Sequence, residues 1–178
     1  VGVLMGILLQ IVNAALIIGG QAVSASMGLS MANMVDPSMG NVPVIAQFFV
    51  ICSTLIFLGL GGHVLVISLL LESFELLPIN SALDLQGLLK LTIEWSAMMF
   101  VGAILIGLPL MASLLFINIG LGVITRTAPA LNIFAVGFPA MILAGIVLLS
   151  LSMTSIGYRI QWLWQESFEI IGQALGIR

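Results

Sequence analysis

Apolar positions run through this chain in long blocks, separated by short polar or Gly/Pro-rich breaks. Residues 1–23 carry no charge, and Gln10, Asn13 and Gln21 are their strong polar groups. As a helix this block extends about 35 Å, enough for a hydrocarbon core of about 30 Å. Gly2 with Gly6, and Ala15 with Gly19, have the small-residue spacing that lets helices approach closely. Glycine is common enough in membrane helices that chance also produces such pairs. Gln10 and Asn13 share a face, which suits a protein-facing side.

Residues 24–43, SASMGLSMANMVDPSMGNVP, interrupt the pattern. Met27, Met31 and Met34 are four and three apart, so any helical turn here puts them on one face. Asp36-Pro37 then stops the turn, because a residue before proline avoids the α region. Two readings fit. The methionines form a packing face, or they act as a plug whose long, flexible apolar side chains fill an irregular opening and close it by dewetting.

The next apolar block, residues 44–71, is divided by Gly59, Gly61 and Gly62. Its arms measure about 24 Å and about 21 Å, each short for a crossing, so a helical hairpin entering and leaving on one side is predicted. Glu72, Glu75 and Pro78 end its second arm. His63, the single histidine, then falls at the polar tip, although a histidine inside a membrane would be a candidate proton relay.

Residues 80–86 form a polar connector, with Ser81 or Asp84 as the cap of a helix that begins amphipathically at Leu85. Lys90 and Glu94 are spaced as a surface pair of little energetic weight, and Trp95 fits an interfacial anchor. Residues 95–125 are apolar, with a kink expected at Pro109. Arg126 opens a second break, and Asn132 caps a helix over 133–152 that Gly137, Pro139 and Gly145 should bend. Beyond Tyr158, polar Arg159, Gln161, Gln165, Glu166, Glu169 and Gln173 interleave with apolar residues. That predicts a further amphipathic helix of about 20 residues, lying at the interface or against a partner.

Composition sharpens the picture. The chain is 61% hydrophobic and 6% charged, with mean hydropathy +1.31. Soluble domains carry roughly a quarter charged residues, so this is a membrane protein. The runs are continuous rather than alternating, so its spans are helices and not barrel strands. Seven acids and four bases leave a net charge of −3, which fits neither nucleic acid nor a polybasic lipid contact. Cys52 is alone, which excludes an internal disulfide and a cysteine metal cluster. HExxH, Walker, CxxC and GxSxG motifs are missing from the sequence, and the acids sit at segment ends, so no catalytic site, metal or cofactor is expected. No signal peptide is visible ahead of the first apolar run. The start at Val1, within an apolar run, is read as the beginning of a fragment.

The stretches MGLSMANMVDPSMGNVPVIAQF, GGHVLV and RTAPALNIFAVGFP resemble the FliR family of flagellar export-gate membrane proteins. Injectisome counterparts of SctT/SpaR type carry related patterns. The likeness runs from near Val1 to at least Ser150, with the segments in the same order. It implies an all-α fold of membrane-associated helical hairpins and kinked long helices within a hetero-oligomeric helical pore. Residues 1–178 would be one helical membrane domain, the C-terminal part of a longer chain whose first helices are absent here. The implied role is non-enzymatic: a component of the type III secretion export gate in the bacterial inner membrane, at the flagellar basal body. FliP and FliQ would complete the pore and FlhB would join it; unfolded flagellar subunits would pass through.

Carried onto this chain, the family plug matches Met27, Gly28, Met31, Met34, Val35, Asp36, Pro37, Met39 and Val42. The second family motif matches Arg126, Pro129, Asn132, Phe134, Gly137 and Pro139. Two other classes compete: a small-solute secondary transporter using His63 and the proline-broken helices, and a structural scaffold whose methionine loop only packs.

Overall fold

Long uncharged runs leave the backbone no water to bond, so each residue must satisfy its neighbours along the helix. The computed structural model describes residues 2–29, 43–76, 85–127 and 133–176. These residues form α1 (Gly2–Ser26), α2 (Val44–Gly59), α3 (Gly62–Leu76), α4 (Leu85–Ser96), α5 (Met98–Thr127) and α6 (Ile133–Leu175), with no strand among them. Gly2–Ser26, Gln86–Ile124 and Gly137–Leu175 are long and apolar enough to cross a membrane.

The bundle is built around α1, which packs against α2, α4, α5 and α6. Met5, Leu8, Val12, Leu16 and Val23 line its buried side at three- and four-residue spacing. Two small-residue pairs set its approach to α5. A Cβ on Gly19 would lie 3.1 Å from the Ala103 carbonyl oxygen, and one on Gly107 would lie 3.4 Å from the Gly19 oxygen. Gly102 faces Ala15 in the same seam. The Ala15–Gly19 spacing is therefore a packing motif, whereas Gly2 and Gly6 face open space.

The contacts also set direction. Trp95 meets Leu8, Gly102 meets Ala15 and Gly107 meets Gly19, so α5 runs parallel to α1. Met27 meets Gly145, while Leu163 reaches Gly102 beside Ala15, so α6 runs antiparallel to both. Pairing of Ser53 with Trp164 and of Phe57 with Phe168 makes α2 parallel to α6. The chain thus doubles back between α1 and α2 and again between α5 and α6, as helical hairpins.

Several expectations change. The break after Gly59 is present, with Gly61 at φ +71, but α2 and α3 do not fold back on each other. They turn by 65° into an open elbow, because α2 and α3 each pack against α6 rather than closing on one another. His63, in the first turn of α3, is exposed. Trp95 is not an interfacial anchor: it is 4% exposed, and its Nε1–H donates to the Leu8 carbonyl at 3.1 Å. Its helix, α4, ends at Ser96 and α5 restarts at Met98, then continues through Pro109.

The amphipathic end is not a separate helix. α6 is one helix of 43 residues, since nothing between Ser152 and Tyr158 breaks it and Gly157 is accommodated within it. Its Ile160, Leu163, Trp164, Ser167 and Ile171 are buried within the chain's own bundle. Trp164 Nε1–H donates to Ser53 Oγ at 2.9 Å, and its ring lies 4.7 Å from that of Phe57. Lys90 and Glu94 pair at 3.8 Å on the surface, as their spacing predicts. Gln10 is exposed and Asn13 half-buried, so this chain leaves much of that amide-bearing face uncovered.

Candidate functional site at the loop end of the bundle

Because α6 returns against α1, the C-terminal end of α1 packs on the first third of α6, with Met27 against Gly145 and Gly28 against Phe138. Gly28, at the edge of the first motif, and Phe138, within the second stretch, are thereby brought together.

Immediately before the methionine-rich stretch, α1 ends in a defined cap. Gly28 has φ +80, its N–H donates to the Ala25 carbonyl at 3.0 Å, and the Leu29 N–H donates to the Ser24 carbonyl at 3.1 Å. That pair of bonds around a left-handed glycine is a Schellman motif, which satisfies two carbonyls of the last turn. Only glycine adopts this conformation without a Cβ penalty.

Met27, just before the cap, is 1% exposed. Its side chain lies across Gly145 of α6, where a Cβ would come within 2.8 Å of Met27 Sδ. A Cβ on Gly28 would stand 3.4 Å from Phe138 Cδ2. On the other side of α1, Gly20 holds α2 close: a Cβ there would come within 2.8 Å of the Ala46 backbone nitrogen. The last turns of α1 are thus held between the start of α2 and the first third of α6.

Among the residues expected to form the plug, Met27 and Gly28 belong to this packed cap. Met31, Met34, Val35, Asp36, Pro37, Met39 and Val42 lie outside the described residues. In the second motif, Arg126 is exposed in the last turn of α5, where a cation suits the helix dipole. Gly137 is buried, and Pro139 is exposed inside α6. Phe134 belongs to the first turn of α6, while Pro129 and Asn132 lie outside the described residues. Phe138 and Gly145 are the members that sequence reasoning missed. A glycine or phenylalanine inside an apolar helix gives no sign of which neighbour it meets.

Among the described residues, no three His, Cys, Asp or Glu side chains are grouped to hold a metal. The described acids are distributed over α3, α4 and the C-terminal third of α6, away from the loop end. What the described residues show there is a capped, packed end of α1 immediately before the methionine-rich stretch.

A bundle of long apolar helices, with no strand among the described residues, is the class of protein defined here. Residues 1–167 match the family described as Bacterial export proteins, family 1, and the chain belongs to that family. It is similar to the flagellar biosynthetic protein FliR of Pectobacterium carotovorum subsp. carotovorum, 35% identical over 98% of this chain and 67% of that protein. The FliR of Escherichia coli (strain K12) is 34% identical over the same shares of the two chains. That of Bacillus subtilis (strain 168) is 32% identical over 88% of this chain and 62% of its own length. The chain spans about two thirds of the length of the first two relatives.

Proposed function

We propose that this chain is a non-enzymatic membrane subunit of the flagellar protein-export apparatus. More specifically, it builds the type III export gate with FliP and FliQ, joined by FlhB, in the inner membrane at the basal body. Unfolded flagellar subunits are the cargo.

Within that gate the methionine-rich segment of residues 30–42 serves as the seal. The observation that supports this reading is the Schellman cap at Gly28, clamped by Met27 on Gly145 and by Phe138. A segment leaving a rigid, buried anchor holds a fixed position at its base, as a plug requires. Methionine suits the remainder, because its side chains close irregular gaps and part again without breaking hydrogen bonds.

The test is ion leak across membranes containing the full gate, wild type against a deletion of residues 31–39, with assembly followed by co-purification. An assembled but leaky gate supports the seal. An assembled, tight gate assigns the loop to packing alone.

A further inference from the structure

We propose that the groove between α5 and α6 around Arg159 receives a carboxylate carried by an apolar helix of a neighbouring subunit. This open groove, of about 680 Å³, is lined by Leu105 of α5 and by Leu151, Thr154, Ser155, Tyr158, Arg159 and Trp162 of α6.

Its polar lining consists of donors. Arg159, Thr154, Ser155, Tyr158 and Trp162 each carry a donor, and no lining residue is a carboxylate. Arg159 is half-buried, and among the described residues the one ion pair is Lys90 with Glu94. The nearest acid along α6, Glu166, is seven residues on, about 10 Å along the axis. Elsewhere in the bundle, helical hydroxyls turn back onto a carbonyl of the preceding turn, as Ser113 and Ser150 do at 2.8 and 2.9 Å. Thr154 and Ser155 donate no such bond to a described residue. This is the hydrogen-bonding complement of an anion.

Position along the bundle narrows the anion's source. Leu105 lies one turn beyond Gly102, which packs on Ala15, so the groove is level with the middle of uncharged α1. A guanidinium without a partner is costly in such surroundings. Toward the loop end, the same face of α6 continues through Leu151, Val147 and Leu143, exposed by 77, 57 and 66%. About two turns of exposed aliphatic surface suit an apolar helix lying lengthwise. A lipid headgroup would have to enter among those side chains to reach Arg159. An acid on an otherwise apolar partner helix satisfies both the donors and the aliphatic strip, and a bidentate Arg–carboxylate pair sets its register.

The proposal rests on the chain acting within a hetero-oligomeric gate, but not on the methionine loop being the seal. Leak and docking therefore fail independently. The experiment places a photocrosslinking benzoylphenylalanine at Tyr158, which is 70% exposed, and separately at Leu151, in the full gate in native membranes. Adducts are mapped by mass spectrometry. The expected adduct joins an apolar partner helix within a turn of an Asp or Glu. Arg159→Glu should then lower recovery of that partner at least about tenfold, Arg159→Lys should retain most of it, and exchanging the mapped acid for Arg should restore it in the Arg159→Glu background. Adducts to lipid alone, no protein adduct, or an adduct to a helix without an acid would overturn the proposal. So would undiminished recovery with both Arg159→Gln and Arg159→Glu.

Discussion

Met27 lies so close over Gly145 that the α-carbon of α6 has no room for a methyl group between them. This contact ties the end of α1 to the apolar half of α6, one residue before the Gly28 cap.

Gly145→Ala is therefore expected to overpack the loop end and cost about 1–3 kcal/mol, since Met27 can yield only partly. Thermal unfolding of the purified gate measures the loss. Combining it with Met27→Ala should cost less than the sum of the two single changes, because both act on one contact. Strict additivity would mean that the contact does not govern stability here.

The cap makes a separate prediction. Gly28→Ala puts a side chain at φ +80 and against Phe138, a cost of about 1–2 kcal/mol, whereas Gly28→Asn is milder because asparagine tolerates that conformation. If the loop is the seal, ion leak through the assembled gate should rank alanine above asparagine above wild type. Equal leak for all three would detach the cap from gating.

At Gly20 the obstacle is backbone, not a flexible side chain. A Cβ would overlap the Ala46 main chain, so α2 must move away from α1 as a unit. Gly20→Ala should lower the recovery of folded complex more than Gly6→Ala, which meets open space. Expression and size-exclusion profiles of the two variants compare them directly.

Ser53 and Trp164 form a buried pair between α2 and α6. Ser53→Ala leaves the indole N–H without its acceptor and should cost about 1–3 kcal/mol. Trp164→Phe in the same background should recover part of that loss by removing the orphaned donor, less the packing area lost with the indole. A double-mutant cycle on thermal stability reads the coupling.

Much of the architecture was legible because lipid-like composition permits few backbone solutions. Uncharged runs identified helices, and the glycines near residue 60 and the polar stretches around Asp36 and Asn132 marked the interruptions. The errors share one origin. Trp95 read as an anchor because Glu94 adjoins it, yet it turns inward onto Leu8. The end of α6 read as a separate amphipathic helix because its polarity changes, yet a change of polarity does not break a helix. Elbow and hairpin alike need a glycine break, and the choice fell to α6, against which both arms pack.

Sequence alone therefore determined the helical membrane class, the positions of the main breaks and the family to which the chain belongs. All three depend on composition and local order along the chain. Tertiary structure decided that Met27 and Gly28 form a buried cap and that Phe138 and Gly145 complete it. It also decided that Arg159 opens onto a groove without an acid. Periodicity tells which residues share a face, but only the packing of distant helices decides what that face meets.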